Sequence, residues 1–570
     1  MKVFIIFTIF VHSFVTCLSA KPNVLFIAID DLNDWVGCLG GHPQARTPNL
    51  DQLAKSGVLF SNAHCAAPSC NPSRTAIFTG ISPHRSGLYK NGQSMRQVLP
   101  KTELLPKTFS RSGYRAIGSG KMLHYFIDQR SWDEYFPPKE TENPFPRTLY
   151  PDKRPVNLPR GGPWQYVETD WGALDATDQQ FGGDYLVSEW VGKELLKKHE
   201  KPFFLACGIY RPHEPWFVPK KYFDAFPIEQ IQLPPGYRED DLNDLPDEAK
   251  RLGPNRYFSH IRKNKQWKNA VQGYLASIYF ADTMLGRVLE SLAKGPNSDN
   301  TIVVLWSDHG WHLGEKQHWQ KFTGWRACTR VPLFIRVPKG VSSLSKGTVP
   351  GTCDQPVSLL SLAPTLLELA GIEPVKAHDG PSLVPLLSNP NSNWEHVATT
   401  HLDSPGSFGI SAKNWRYIKY ANGGEELYNI KTDPYEWRNL ATEDLHQSTL
   451  KRLRSRAPAK FAKLVRPSIN VFPQLKWMPL IKGKKAPASN PDGNSFEVVF
   501  VNQRAHPVEL FWMDRSGGRK SYVLIDPGTT FTRQTRPGAV WMIAQVDDIG
   551  GKAIGYFRVG DRPSRAVIVK

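Results

Sequence analysis

The chain has 570 residues, more than a single hydrophobic core organises, so several domains are expected. Hydrophobic residues at 40% and 17 tryptophans exclude a disordered chain. A formal net charge of +18 favours acidic partners such as polyanionic glycans, nucleic acid or anionic surfaces. Part of that excess is local: from Lys451 to Lys485 there are many Lys and Arg and no Asp or Glu.

The first stretch, MKVFIIFTIFVHSFVTCLSA, reads as a signal peptide. Lys2 supplies the charged start, Val3 to Val15 the apolar run and Ser19-Ala20 a small-residue cleavage site. The run is short for a membrane span, with an uncleaved anchor as the alternative, and no later stretch is long and apolar enough. The expected mature protein is periplasmic or secreted, with no integral membrane segment.

Val24 to Ile29 is continuously apolar, the mark of a central strand buried on both faces, and it ends in Asp30-Asp31. TPNLDQLAKSGVLFSNAH reads as a helix capped at Thr47-Pro48 and leading into a strand; NPSRTAIFTG opens another helix. GYRAIGSGK is a helix exit and strand, and KPFFLACGIYRPHEPW a strand running into a polar loop. QGYLASIYFADTMLGRVLESL has helical periodicity. NTIVVLWSDHGWHLGE is a second buried strand ending in Asp308-His309, and VPLFIRVP one more strand. Strands alternating with helices predict an α/β domain with a mostly parallel sheet, and the polar pairs stand at strand ends, where such sheets place ligands. Residues 376–446 read as a smaller α+β unit with a hairpin around Asn422-Gly423-Gly424. Residues 447–490 are basic and proline-rich and read as a wrapping tail or linker. Short strands from 491 to 570 read as an all-β module. The expected division is therefore 1–20, 21–375, 376–446, 447–490 and 491–570.

Asp30, Asp31 and Asp308, with His309, can meet at one sheet edge. Three converging carboxylates repel unless a cation sits between them, and a hard divalent ion, Ca²⁺ or Mg²⁺, meets that need. For any one Asp alone, helix capping or turn formation is the better reading; two pairs at the ends of buried strands favour the metal. Lys121 and His124 in GKMLH, His213 in YRPHEP and Lys321 in WQKF also follow strands. Grouped cations suit an anionic substrate such as sulfate or phosphate, with a Lys or His to protonate a leaving oxygen. GYRAIGSGKM is not a P-loop: the spacing is wrong, and Met122 stands where Ser or Thr holds Mg²⁺. The seven cysteines show no CxxC pair and no evident disulfide framework. Cys70, next to a helix start and Arg74, is a candidate nucleophile or a buried structural thiol. Neither reading explains Pro72, Ser73 and Arg74 at fixed offsets.

CNPSR followed by FTG resembles the signature of the type I, formylglycine-dependent sulfatases. The likeness runs from about 22 to 446 through NVLFIAIDDLND, TPNLDQLA, GYRAIGSGKMLH, KPFFLACGIYRPH, SDHGWHLGE, Lys321, TRVPLFIRVP and EELYNIKTDPYEWRNLA. DWGALD (Asp170 to Asp175), RPHEPWFVPKKYFD and LLSLAPTLLELAGI are similar to the iduronate-2-sulfatase branch. The resemblance implies an α/β, alkaline-phosphatase-like fold with a central mostly parallel sheet and a smaller C-terminal α+β subdomain, here with an appended all-β sandwich.

It implies further that a maturation enzyme oxidises Cys70 to formylglycine. One Ca²⁺ per chain would be held by Asp30, Asp31, Asp308, His309 and the modified Cys70, with His309 standing where many members have Asn. Arg74 would hold and polarise the formylglycine, and Lys121 and His124 would support nucleophile and sulfate. His213 and Lys321 would bind sulfate oxygens and assist the leaving group. In the implied reaction the hydrated aldehyde attacks sulfur, His213 or Lys321 protonates the departing alcohol, and a second hydroxyl, deprotonated by His124, expels sulfate. A plain serine or thiol would form an ester with no such exit. Arg211 replaces a Lys of close relatives, and Trp325-Arg326 sits where many members place an aromatic-Glu pair; both are expected at the substrate rim. The expected activity is hydrolysis of sulfate esters on a sulfated sugar or polysaccharide, with no nucleic-acid partner. A phosphatase or phosphonate hydrolase of the same superfamily, and a non-catalytic glycan-binding homologue, are the alternatives.

VVFVNQ, VELFWMD, YVLIDPGTTFTRQT and GAVWMI resemble the β domain of the von Hippel-Lindau tumour suppressor. Trp512, Tyr522, Thr535 and Trp541 match positions of its hydroxyproline pocket, while Ala539 stands where that pocket has a histidine. Aromatic packing of a sandwich core is the favoured reading, and a glycan- or protein-binding appendage the intermediate one.

Overall fold

The structure, a computed structural model, describes residues 21–141, 143–151, 158, 169–465, 472–481, 484–491, 496–546, 552–560 and 563–569. The expected signal peptide at 1–20 lies outside the described residues. The core sheet has eight strands: β1 (Asn23–Ile29), β2 (Val58–Phe60), β3 (Arg115–Gly120), β4 (Glu134–Phe136), β5 (Phe203–Ile209), β6 (Thr301–Ser307), β7 (Leu333–Arg336) and β8 (Gly351–Cys353). Their order is β8-β2-β7-β6-β1-β5-β3-β4. β6, β1, β5, β3 and β4 are parallel to one another, and only β7 runs against its neighbours. The alkaline-phosphatase-like α/β architecture expected from sequence is therefore present.

The apolar run of β1 is buried on both faces because its side chains alternate between two cores. Leu25, Ile27 and Ile29 face one cluster, with Val187 and Val191 of helix α3 (Asp184–Leu196) and Tyr274 and Met284 of α4 (Trp267–Lys294). Val24, Phe26 and Ala28 face the other, with Ile77 and Phe78 of α2 (Cys70–Thr79) and Leu366 of α5 (Leu362–Leu369). Helix α1 (Pro48–Ala54) starts at Thr47-Pro48, but the Thr47 hydroxyl does not cap it. That hydroxyl accepts from Gly37 N (2.9 Å) and donates to Asp51 Oδ1 (3.2 Å), tying the helix start to the loop after β1.

A four-stranded antiparallel sheet follows, β9 (Ala398–His401), β10 (Phe408–Ser411), β11 (Trp415–Lys419) and β12 (Glu425–Asn429). The basic segment after it, expected as a wrapping tail or linker, packs at its start. It opens with α6 (Gln447–Arg454), whose Leu450 and Leu453 are buried against Phe408, Ile410 and Leu427. Two leucines three apart are enough to seat one helix face while the basic residues stay in water.

The C-terminal module is two β-sheets. One holds Met478–Pro479, Lys552–Arg558, Val540–Gln545, Val508–Met513 and Arg519–Ile525; the other holds Thr530–Thr535, Phe496–Asn502 and Ser564–Ile568. Trp541 is buried in the shared core with Tyr522 and Trp512 packed against it, and its Nε1 donates to Thr535 Oγ1 (2.9 Å). Among the described residues, no helix is long and apolar enough to cross a membrane.

Candidate active site

Strand register builds the site. Ile29 is level with Ile209 on one side and Ser307 on the other, and Gly120 is level with Gly208. Four adjacent parallel strands thus end together, and the residues that follow are delivered to one edge: Asp30-Asp31 after β1, Lys121 after β3, His213 beyond β5, Asp308-His309 after β6. α2 begins at Cys70 directly above them, and the described cysteines are all free thiols.

Cys70 Sγ lies 3.1 Å from Lys321 Nζ, 3.3 Å from His309 Nε2, 3.7 Å from Lys121 Nζ and 3.9 Å from Asp31 Oδ1. Lys321 Nζ also donates to both Asp31 carboxylate oxygens (2.9 and 3.2 Å). His213 Nε2 stands 3.7 Å from Asp31 Oδ2, while its Nδ1 donates to Glu214 O (2.7 Å). Every sequence-predicted site residue is therefore brought to this one place, His124 included, whose ring is within electrostatic reach of Cys70. Arg74 takes a particular part. Its Nε donates to Asp308 Oδ2 (2.7 Å), Nη2 to Asp30 Oδ1 (2.9 Å) and Nη1 to the Lys121 carbonyl (2.6 Å). Its hydrogen bonds go to three strand ends rather than to Cys70, so it acts on Cys70 through charge.

The acids divide into two groups. Asp31, Cys70, Asp308 and His309 present ligand atoms all within 4.8 Å of one another, while Asp30 groups with Asp31 and His213. Asp30 is held by Arg74 and Lys121. Burial alone would push the Cys70 thiol up, but Lys121 and Lys321 outweigh it and hold it well below its ordinary value. Burial also opposes charge on Asp308, yet Arg74 and His309 keep its carboxyl below the usual range. His309 is raised to about 9 against burial, by Asp308. Its Nδ1 donates to Gly310 O (3.0 Å), which turns Nε2 to the cluster. A buried set of carboxylates that forces a proton onto an imidazole is a set that a cation would satisfy.

The sulfatase profile matches residues 22–372. This chain belongs to the sulfatase family. A second profile, N-sulphoglucosamine sulphohydrolase C-terminal, matches residues 314–462 of this sulfatase. A sulfatase of Formosa agariphila is 37% identical over 449 residues, 77% of this chain and 86% of the relative. Iduronate 2-sulfatase of Homo sapiens is 30% identical over 391 residues, 62% and 69% of the two chains. Phosphonate monoester hydrolase of Agrobacterium radiobacter shares the fold, with a TM-score of 0.59 at 22% identity over 76% of this chain and 95% of that one.

Several supports of the sulfatase site carry no motif. Asn71 N, at the start of the helix, donates to Asn91 Oδ1 (2.9 Å), and Asn71 Nδ2 donates to Gln93 O (2.6 Å). Gln93 uses its whole amide: Oε1 accepts from Tyr89 N and Lys90 N, and Nε2 donates to Gly87 O and Val465 O. His318 Nε2 lies 3.0 Å from Lys321 O, and Gln320 Nε2 donates to Glu214 Oε2 (3.2 Å). Two of these bonds, Gln93 to Val465 and Gln320 to Glu214, join loops far apart in sequence, and the others span shorter stretches that no motif marks.

Arg211 is not at the rim. It is 1% exposed, lies over the Phe181 and Tyr210 rings, and its backbone N donates to Asp184 Oδ2 (2.9 Å). A guanidinium with aromatic faces to cover it can be buried where an ammonium is costlier. Arg326 turns toward the C-terminal subdomain: its backbone N donates to Glu436 Oε2 (2.7 Å), and burial pulls its guanidinium down to about 10.

Proposed function

We propose that this sulfatase removes sulfate from a sulfated sugar, within a polysaccharide, using Cys70 oxidised to formylglycine by a maturation enzyme and one Ca²⁺ held by Asp31, Asp308, His309 and the modified residue. The observation that carries the reading is Cys70 itself, wholly buried at a helix start with two lysines, an imidazole and a carboxylate around its sulfur. A hard cation prefers oxygen donors, and the one soft donor in the four-residue cluster is this sulfur. Exchanging sulfur for oxygen makes the set fit Ca²⁺, which would neutralise charge on the sulfate oxygens.

Hydrated formylglycine would supply a hydroxyl to attack sulfur and a second to release it. The remaining work falls to the protein. Lys121 and Lys321 hold sulfate oxygens by charge-assisted hydrogen bonds. Lys321 or His213 donates the proton that the departing sugar oxygen takes. Burial holds His124 below its ordinary value, so it stands beside Cys70 as a neutral base. Arg74 fixes Asp30 and Asp308.

A long anionic substrate suits the charge. Lys460 and Lys463 are exposed, and their segment is stitched to the chain that follows α2: Ala462 N donates to His84 O (2.7 Å) and Tyr89 OH to Ala462 O (3.0 Å). In this reading the leader at residues 1–20 exports the protein, and the C-terminal sandwich is a von Hippel-Lindau-like appendage whose aromatics fill its own core.

The test is turnover by matured enzyme of a panel of defined sulfated saccharides beside nitrophenyl sulfate, nitrophenyl phosphate and a phosphonate ester. Sulfate esters are expected to be the preferred class, and preference for phosphate or phosphonate overturns the reading. Dialysis against a chelator is expected to remove activity and added Ca²⁺ to restore it; full activity after exhaustive chelation contradicts the metal assignment.

A further inference from the structure

Phe322 follows Lys321 and is 45% exposed. Its backbone has φ 77°, and Gln320 on the other side of Lys321 has φ 83°. Both lie in the left-handed region, where a bulky L-residue is a strained outlier, and such strain gathers at ligand sites. Neighbours hold the segment there. Phe322 N donates to Pro68 O (3.0 Å), two residues before Cys70; His318 holds the Lys321 carbonyl and Glu214 the Gln320 amide. The Phe322 backbone is thereby tied to the segment just before Cys70 and to the lysine that touches its sulfur. Among the described residues no aromatic ring or cation is paired with it. The nearby Trp311 ring instead lies under Lys321 Nζ, 5.3 Å away. An exposed aromatic in a strained conformation gains little from burial and costs stability, so its value lies in what it meets outside the protein.

We propose that Phe322 is the platform on which the sugar ring bearing the scissile sulfate stacks, a specificity residue of this site. The inference rests on the sulfated-sugar reading above. A pyranose presents an apolar C–H face, and an exposed aromatic face is its natural complement. With the sulfate held by Lys121 and Lys321, the exposed residue that follows Lys321 in the chain is the aromatic set against the sugar. Stacking there orients the ester oxygen toward the proton donors and selects a ring over a flexible alkyl chain.

The test compares wild type with Phe322→Ala, Phe322→Gly and Phe322→Trp, reading KM and kcat for a sulfated saccharide found in the panel, the inhibition constant of inorganic sulfate, and Tm. Phe322→Ala and Phe322→Gly are expected to raise the saccharide KM about five- to tenfold with kcat nearly unchanged. Phe322→Trp restores KM. Inorganic sulfate, which reaches only the charged cluster, inhibits all four proteins equally. Phe322→Gly melts above Phe322→Ala, because glycine alone relieves the left-handed strain while both lack the ring. Saccharide KM unchanged in Phe322→Ala, or weakened sulfate inhibition in parallel with KM, overturns the platform alone. Wild type that turns over no sulfated saccharide overturns the substrate reading, and the platform with it.

Discussion

Cys70→Ala is expected to lower kcat for sulfate esters by on the order of 10⁴- to 10⁶-fold, the scale seen when a covalent nucleophile is removed. The fold should survive the change. Lys321 keeps both Asp31 oxygens and Lys121 keeps Asp30, so no buried lysine is stranded. The side chain lost is small, and a Tm within a few degrees of wild type separates lost chemistry from lost structure. Cys70→Ser sharpens the result. Serine offers one hydroxyl and no second, so it can take sulfate but cannot expel it. Its expected behaviour is release of at most one equivalent of alcohol per enzyme, followed by arrest, with sulfate retained on the α2 peptide in a mass spectrum. Steady turnover by either variant at a rate near wild type would refute the nucleophile assignment.

The site was largely legible in sequence because parallel sheets convert chain order into place. Val24–Ile29 and Thr301–Ser307 read as buried strands, and residues that follow parallel neighbours in register must meet. That is why Asp31, Asp308 and His309 could be set together from sequence although 277 positions separate the two aspartates, whose Asp31 N and Asp308 Oδ1 lie 3.2 Å apart. What remained hidden depends on distant hydrogen bonds. Gln93 is an unremarkable loop residue until its amide is seen to join the Tyr89–Lys90 turn, Val465 and, through its carbonyl, Asn71. The rim placement of Arg211 rests on its replacing a Lys of close relatives; the rings of Phe181 and Tyr210 that cover it belong to another segment and to its neighbour in sequence. β7 is apolar like its neighbours, and nothing in VPLFIRVP reports that it runs backwards. In α6 the surrounding charge masks the amphipathic pair Leu450 and Leu453, so a helix is not legible in a segment read as a wrapping tail or linker.

Arg74→Ala carries the second large effect, on folding and catalysis together. The guanidinium and both its carboxylate partners are fully buried. Truncation leaves Asp308 with only backbone donors and the His309 ring near it, and frees the Lys121 and Met122 carbonyls. Breaking a buried ion pair by removing one partner costs about 3–5 kcal/mol. Asp308 is also the group that Arg74 holds below the carboxylate range against burial. A depressed carboxyl stabilises the fold above its unfolded value and loses that contribution as pH falls. The deficit of Arg74→Ala is therefore expected to be largest near neutral pH and to shrink toward acid, where both proteins have protonated Asp308. Turnover should fall about 10²- to 10³-fold, the scale of losing a preorganised electrostatic group. Arg74→Lys is expected to recover part of the Tm and little of the rate, since one ammonium cannot reach Asp30, Asp308 and the Lys121 carbonyl at once. Thermal melts across pH and kcat/KM on nitrophenyl sulfate measure both effects. Wild-type activity in Arg74→Lys would show that charge alone suffices, and that the fork joining three strand ends is not what the site requires.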